Sequence, residues 1–485
     1  MGFSSKKYEL KVALAAGLYP FLHYYNGNFD MADSWLQLGF LVALCFVVPV
    51  VIMLLSKPVF KLGFLQKLEK YRITGVNLVM FSGLIAMLIL LGNKKFIAVV
   101  IFCAAVLSFL MYRYIKKIVV IQFLLASLSA ITLLPRLWFM IQYDADWTEI
   151  SSELKNVQLQ QKPNIYVIQP DGYANFSHLS QPPYNFDNSA FEGYLSDQGF
   201  VNHPNYRSNY YSTLTSNAAL FAMKHHYYQN TYPGNLKTLG AQEVVVGGYN
   251  NALNILKNNG YTSHFITDNS YFLINGKQTA FDHYNIERKQ IKIYDTGPVR
   301  GADIIPDFEV TMSNLPQGAN FVFIEKTLPS HVNHQKKYTV GIAGERAGYL
   351  NRVAQANEWL TSLIEIINTY DDNPMIILVA DHGGYVGLQY VQEVETRKIN
   401  AEETISSFNS MLSIKWPKGY TPKHTNIKTS VNMFRTIFAE LANDDAILEA
   451  KEPNVSYIPL YDSFLGAHFY KCIDEDYKVV FEKIE

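Results

Sequence analysis

The hydrophobic positions of this chain divide it into two parts with different patterns. Before residue 144, four apolar runs approach the roughly 20 residues that a helix needs to cross a membrane. They cover residues 35–55, 73–91, 96–112 and 118–143. A shorter run at 12–25 contains Pro20 and His23, and it either spans the membrane or lies in its interface. The pattern therefore predicts a transmembrane domain of about five helices over residues 1–143.

From residue 163 onward, short strand patterns alternate with longer helical ones. Apolar runs typical of buried strands occur at 165–170, 261–267, 321–325, 376–380 and 411–414, and helical spacing at 242–260, 349–370 and 431–441. This alternation predicts an α/β domain with a mostly parallel sheet that is covered by helices on both faces. We expect residues 144–162 to form a linker and residues 163–485 to form this domain.

Composition and charge narrow the classes of function. The formal net charge of the 485 residues is −1, which gives no reason to expect a nucleic-acid partner. Two of the three cysteines, Cys45 and Cys103, lie in apolar runs, and Cys472 stands alone. The outer domain therefore has neither a disulfide framework nor a cysteine cluster for a metal.

Basic residues between the apolar runs predict the orientation of the chain. They crowd two connections, which contain Lys57, Lys61, Lys67, Lys70 and Arg72 in the first and Arg113, Lys116 and Lys117 in the second. The positive-inside rule places both connections in the cytoplasm, so residues after 143 are expected outside the plasma (inner) membrane. The spans contain no row of ionisable residues, which favours an anchor over an ion pathway.

Two of the predicted strands end in residues that can bind a metal. Asp171 and Gly172 follow one strand, and Asp381 and His382 follow another, before two glycines. Open α/β sheets bind their ligands at the carboxyl ends of strands, and an Asp–His pair suits zinc or manganese. The alternative interpretation of each motif is a turn or a capping acid beside a surface histidine.

Candidate nucleophiles lie at the start of another predicted helix. Ser212, Thr213 and Thr215 precede a segment with helical spacing. They are either helix caps or include a nucleophile whose helix N-terminus attracts an anion. Two loop histidines, His331 and His334, follow the strand at 321–325 and could bind a metal or a phosphate oxygen, or lie in solvent.

In this order, the motifs resemble those of the alkaline phosphatase/sulfatase superfamily. PNIYVIQPDGYA at 163–174 is similar to its opening strand, and VADHGG at 379–384 to its metal motif. SNYYSTLTS at 208–216 resembles the nucleophile segment of its membrane-bound sulfatase-like members, and KTLPSH at 326–331 the loop that carries a substrate-facing histidine. The likeness covers residues 162–463, and the apolar runs match the layout of lipoteichoic acid synthases and phosphoethanolamine transferases.

The resemblance implies one divalent metal ion, manganese or zinc, held by Asp171, Asp381, His382 and the oxygen of Thr213. It implies that Thr213 is the nucleophile and that His331 binds the substrate, with Ser212 and Thr215 as rival nucleophiles. The implied activity transfers a phosphoglycerol- or phosphoethanolamine-type group from a membrane lipid donor to a surface glycan or lipid through a phospho-threonine intermediate.

Three departures from the family pattern refine this expectation. Members with two metals carry an acid at the position of Thr327, so we expect one metal. Neither Ser212 nor Thr213 is followed by the x-Pro-x-Arg of formylglycine sulfatases, and the disulfides usual in phosphoethanolamine transferases cannot form. The alternatives to a phosphotransferase are a sulfatase-like phosphoester or sulfoester hydrolase and a catalytically inactive membrane-bound scaffold.

Overall fold

The computed structural model describes residues 6–29, 35–89, 93–226, 240–273, 279–287, 290–291, 303–463 and 466–484. The last two residues of the predicted run at 73–91 lie outside these ranges. The chain forms two compact units, one of which ends at Tyr143 while the other begins at Asp144. Residues 144–162, predicted to be a linker, belong to the second unit. There the Leu159 N–H donates to Asn259 Oδ1 over 2.8 Å.

The first unit is helical. Its elements are α1 (Lys6–Gly27), α2 (Trp35–Val42), a π-helical turn (Ala43–Val47), α3 (Val48–Val59), α4 (Glu69–Ile89), α5 (Lys94–Met111) and α6 (Ile115–Gln142). Within the described ranges, three helical stretches are long and apolar enough to cross a membrane, at Trp35–Val59, Gly63–Ile89 and Lys94–Gln142. The third contains both α5 and α6. The chain is thus a membrane protein by the length and composition of these helices, while the count of about five spans stays a prediction.

Polar side chains connect the helices of this first unit. Glu9 of α1 forms a buried ion pair with Arg72 of α4, with 2.7 Å between Oε1 and Nη2. One turn further along α1, the Val12 carbonyl accepts a 2.8 Å hydrogen bond from Asn77 Nδ2. Asn77 also exchanges hydrogen bonds with Gln122 of α6. Because the four side chains named here are hydrogen-bonded to one another or to the backbone, these contacts fix the positions of α1, α4 and α6 relative to one another.

The second unit alternates strands and helices. Its strands are β1 (Ile165–Pro170), β2 (Phe200–Asn202), β3 (Thr262–Thr267), β4 (His283–Tyr284), β5 (Asn320–Lys326), β6 (Met375–Val379), β7 (Leu412–Lys415), β8 (Ser456–Ser463), β9 (Gly466–Ile473) and β10 (Val479–Lys483). Its helices are α7 (Ser152–Lys155), α8 (Phe176–Leu179), α9 (Ser189–Asp197), α10 (Thr213–Ala222), α11 (Ala241–Val245), α12 (Asn251–Asn258), α13 (Ile305–Ser313), α14 (Ile342–Tyr370), α15 (Glu393–Thr396), α16 (Ala401–Phe408) and α17 (Met433–Ala442).

In the part of the chain that the structure describes, the main sheet has seven strands in the order β2-β7-β6-β1-β5-β3-β4. The strands from β6 to β4 are parallel, whereas β7 runs antiparallel to both of its neighbours. β8, β9 and β10 form a separate antiparallel sheet. The predicted fold class, apolar helices followed by a mostly parallel α/β sheet, is confirmed.

Helices pack on both faces of the central strands. On one face, Tyr166, Ile168, Ile324 and Ile376 belong to the same core cluster as the buried stripe of α14, which includes Leu360 and Ile364. On the other face, aromatic side chains of β5 contact α10 and α17, with 5.0 Å between the rings of Phe221 and Phe323. Alternate residues of each strand therefore face opposite layers, as the period of two requires.

Two predicted elements differ from those observed. The helix expected at 242–260 is two helices, α11 and α12, because Gly247 and Gly248 interrupt it and Asn250 caps the second by accepting from the Leu253 N–H. The helix expected from 349 begins at Ile342. The small sheet of β8–β10 was not predicted at all.

Candidate metal centre and active site

Four neighbouring parallel strands deliver acids to the same edge of the sheet. In spatial order, Asp381 follows β6, Asp171 follows β1, Glu325 lies at the end of β5 and Asp268 follows β3. All four are buried, with 1–6% of their surface exposed. Burying this many carboxylates is costly unless cations or hydrogen-bond donors compensate their charge, so each of the four acids requires such partners.

Asp171, Asp381 and His382 form a compact three-residue group. Their candidate ligand atoms all lie within 4.8 Å of one another. His382 Nε2 is 3.4 Å from Asp171 Oδ1 and 3.3 Å from Asp381 Oδ2. The Nδ1–H of His382 donates to the Gly383 carbonyl over 2.9 Å, which leaves the Nε2 lone pair directed at the two acids.

One oxygen of each carboxylate lacks the hydrogen-bond donor that a buried acid normally has. Asp171 Oδ1 and Asp381 Oδ2 are buried and accept no hydrogen bond from the described residues. Burial, followed by the nearby charge of Asp381, raises the pKa of Asp171 well above its usual value. Two acid oxygens and an imidazole nitrogen that converge on one point form the donor set of zinc or manganese. A cation bound there would give both acid oxygens a partner and would offset the repulsion between the two carboxylates.

Among the three candidate nucleophiles, Thr213 is the one whose hydroxyl contacts this group. Its Oγ1 lies 3.2 Å from His382 Nε2. By contrast, Ser212 Oγ and Thr215 Oγ1 lie 2.8 Å apart and bond to each other. Thr213 is the first residue of α10, so it also lies where the helix dipole favours an anion.

His331 lies beside the group on the loop after β5. The centre of its ring is 5.8 Å from those of His382 and Tyr385. Its Nδ1–H donates to the Val332 carbonyl over 2.6 Å, and burial together with the neighbouring His382 lowers its pKa to about 3. His331 is therefore a neutral ring at neutral pH, with Nε2 available as an acceptor. Arg352 of α14 donates to the carbonyls of Pro329 and His331 and so holds the loop in place.

The turns that follow β1 and β6 pack so closely against neighbouring residues that three of their positions require glycine. A Cβ on Gly172, which has a φ of +69°, would lie 2.5 Å from the Ser330 carbonyl oxygen. A Cβ on Gly383 would lie 2.1 Å from the carbonyl oxygen of Ser406, and one on Gly384 would lie 2.3 Å from the Tyr349 ring. The backbone of each turn thus approaches its neighbours too closely for any side chain.

Buried tyrosines, which sequence reasoning did not single out, join these turns. Tyr349 Oη donates to the Gly172 carbonyl and accepts from the Ala174 N–H, both over 2.9 Å. Tyr184 Oη accepts from the Gly384 N–H over 3.2 Å. A tyrosine at an apolar position of a helical stripe was the signal that sequence analysis could have used for Tyr349.

The fold and the centre together define a class: a membrane protein with an α/β unit whose sheet edge holds a buried Asp–Asp–His group beside a helix-terminal threonine. No family model and no curated protein matches the chain. Similar solved structures do exist. Lipooligosaccharide phosphoethanolamine transferase A of Neisseria meningitidis shares 13% identity at a TM-score of 0.45, over 88% of this chain and 95% of that one.

Two further structures come from the same groups of proteins that the motifs resemble. The periplasmic domain of Escherichia coli EptC in complex with zinc has a TM-score of 0.43 and 12% identity, over 66% of this chain and 95% of that one. The lipoteichoic acid synthase LtaP of Listeria monocytogenes has a TM-score of 0.40 and 12% identity, over 69% and 91%. Since all three TM-scores lie below 0.5, the function of this chain has to be inferred from its own residues.

Proposed function

We propose that this protein is a metal-dependent phosphotransferase that acts outside the plasma (inner) membrane through a phospho-threonine at Thr213. One observation carries the proposal: Thr213 Oγ1 lies 3.2 Å from His382 Nε2. That nitrogen faces Asp171 Oδ1 and Asp381 Oδ2, two buried oxygens that accept no hydrogen bond from the described residues. A hydroxyl beside a group of residues that can hold a cation is the arrangement that activates a weak nucleophile.

Asp171, Asp381, His382 and Thr213 would hold one divalent cation, manganese or zinc. A cation bound there lowers the pKa of the coordinated hydroxyl and neutralises charge on the transferred group. The chain's own residues then set the geometry. Thr213 Oγ1 attacks phosphorus in line, so that a threonine O–P bond forms while the bond from phosphorus to the donor's alcohol oxygen breaks.

His331 is suited to carry the protons of both half-reactions. Its neutral ring and free Nε2 can take the proton of an attacking hydroxyl and return one to a departing alcohol. In the first half-reaction the departing alcohol is the lipid of the donor, and in the second the phospho-group passes from Thr213 to a hydroxyl of a surface glycan or lipid. If water takes the place of that acceptor, the same site is a hydrolase.

The donor would be a membrane phospholipid with a phosphoglycerol or phosphoethanolamine headgroup. The apolar helices of the first unit support this choice, because an enzyme anchored in a bilayer meets lipid headgroups at its surface. The proposal places the second unit on the outer side of the membrane, in accord with the basic connections between the predicted spans.

The covalent intermediate provides the test. Purified full-length protein in detergent is incubated with manganese and either phosphatidylethanolamine or phosphatidylglycerol, and the peptide that contains Thr213 is analysed by mass spectrometry. We expect an adduct whose mass identifies the transferred headgroup, lost in Thr213→Ala and after chelation. The matched variants Ser212→Ala and Thr215→Ala should keep it. An adduct on either neighbour, or none with any donor while metal is bound, would contradict the proposal and favour the inactive scaffold.

A further inference from the structure

Asp268 and Glu325 are the two acids of this sheet edge that the proposed chemistry does not use. They are 1% and 2% exposed and lie at the ends of the adjacent strands β3 and β5. Their position is next to the centre, because the Asp171 N–H donates to the Lys326 carbonyl, one residue beyond Glu325, over 3.0 Å. The edge therefore offers two pairs of carboxylates side by side, Asp171 with Asp381 and Asp268 with Glu325.

The amide group of Asn269 lies between the second pair. Its Oδ1 accepts from the Tyr271 N–H over 2.8 Å, which fixes the orientation of the amide. Nδ2 then faces oxygens of three residues: Asp268 Oδ1 at 3.0 Å, Glu325 Oε2 at 3.1 Å and Thr327 Oγ1 at 2.8 Å. The N–H hydrogens of this amide, which carry partial positive charge, thus lie inside a cage of oxygens, where a hard cation would also bind.

Hydroxyl and backbone donors complete this arrangement. The N–H and hydroxyl of Thr327 both donate to Asp268 Oδ1 over 3.1 Å, and the Thr267 hydroxyl donates to Glu325 Oε2 over 2.5 Å. The second pair is therefore compensated by neutral donors, whereas Asp171 Oδ1 and Asp381 Oδ2 accept none from the described residues. The two pairs differ in their partners rather than in their charge or burial.

We propose that the Asn269 amide closes a second cation position between Asp268 and Glu325 and thereby limits the centre to one metal ion. This inference rests on the proposed function, because it takes the first cation to lie at Asp171, Asp381 and His382. Replacing the NH₂ of Asn269 by a carboxylate oxygen would leave an all-oxygen cage of the kind that binds manganese or magnesium.

Metal stoichiometry tests the inference without any measurement of activity. The full-length protein in detergent is stripped with a chelator, dialysed against manganese and analysed for metal by mass spectrometry. We expect about one manganese per chain in the wild type and about two in Asn269→Asp. Asn285→Asp is the matched control, because the side-chain amide of Asn285 bonds to the backbone N–H and carbonyl of Thr267 and not to Glu325. This variant should leave the stoichiometry at about one.

A second variant guards against a folding defect, because Asn269→Asp places three acids together. Asn269→Ala removes the NH₂ without adding charge, and we expect it to bind a second, weaker equivalent of manganese. One equivalent in both Asn269 variants, or two in the wild type, overturns the inference and leaves the proposed function standing. No metal in the wild type overturns the proposed function and this inference with it. If Asn269→Asp does not fold even with manganese, the stoichiometry of Asn269→Ala decides.

Discussion

Replacing Asp381 by asparagine would change the charge of the centre while keeping its shape. Asp381 Oδ1 accepts from the Gly172 N–H over 3.0 Å, and an asparagine can keep its carbonyl oxygen at this position. Its NH₂ then replaces Oδ2, which faces Asp171 and His382. The substitution thus exchanges a repulsive contact between two carboxylates for a hydrogen bond, and it removes one ligand of the proposed cation.

The separation of the two acids sets the magnitude. Unit charges 4.8 Å apart, the largest separation of ligand atoms in this group, repel by about 3.5 kcal/mol at an effective dielectric constant of about 20, and a shorter separation would increase this value. Because both acids are at most 6% exposed, solvent screens them little. At a pH where Asp171 is ionised despite its raised pKa, Asp381→Asn should therefore raise the free energy of unfolding of the metal-free protein by about 3 kcal/mol. Manganese at about 100 times its Kd should stabilise the wild type by about 2.7 kcal/mol, and the variant not at all.

Thermal unfolding of the full-length protein in detergent, with chelator and with manganese, measures both effects at mildly alkaline pH. We expect Asp381→Asn to have the higher Tm in chelator and no response to manganese, while the wild type responds. The exposed Asp372→Asn should behave as the wild type. If Asp381→Asn is less stable than the wild type in chelator, or is still stabilised by manganese, the two acids do not form the proposed cation site.

Three further predictions follow, two on the surroundings of the centre and one on a half-buried acid of α15. Tyr349→Phe removes a hydroxyl with two buried backbone partners, so it should cost about 1–3 kcal/mol of stability and weaken manganese binding in a titration, unlike the exposed Tyr338→Phe. Gly384→Ala places a Cβ 2.3 Å from a ring and should lower Tm and metal content, whereas Gly193→Ala meets open space in a helix and should not. Burial raises the pKa of Glu395 to about 7 from 4.5, so the stability that the neutral acid contributes is complete below about pH 4.5 and is lost as the pH rises through about 7. Glu395→Gln should flatten the dependence of Tm on pH in that window.

Each of these predictions has an outcome that contradicts it. Unchanged manganese affinity in Tyr349→Phe would show that the tyrosine does not position the turns. Equal Tm values for Gly384→Ala and the wild type would mean that the ring can move aside. A Tm of Glu395→Gln that still falls between about pH 4.5 and 7, as in the wild type, would assign the pH dependence to another group.

Much of the framework follows from short patterns in the sequence. The apolar runs that end in Asp171 and Asp381 predict buried strands, and parallel strands bring their carboxyl ends to one edge. The structure brings together Asp171, Asp381, His382 and Thr213, the set that the motifs indicated. The antiparallel direction of β7 could not be predicted, because an apolar run of four residues has the same pattern in either direction.

The choice among three hydroxyls depends on contacts that the sequence does not contain. Ser212, Thr213 and Thr215 are equivalent as helix-capping residues, and they become distinct because Thr213 contacts His382 while the other two bond to each other. The contact between Gly384 and Tyr349 likewise joins positions 35 residues apart, which no local pattern reveals. Periodicity predicts which face of a segment is buried, but not which atoms meet there.

The first residues of the second unit, 144–162, have a practical consequence for work on that unit by itself. Their polar composition suggests that a truncated protein could begin at Pro163. However, the backbone N–H groups of Gln160 and Gln161 both donate to the Leu441 carbonyl at the end of α17, over 2.8 and 3.0 Å. Leu154 is buried as well. A version made for crystallisation or ligand screening should therefore start at Asp144, because a later start would remove the buried Leu154 or the hydrogen bonds to Leu441.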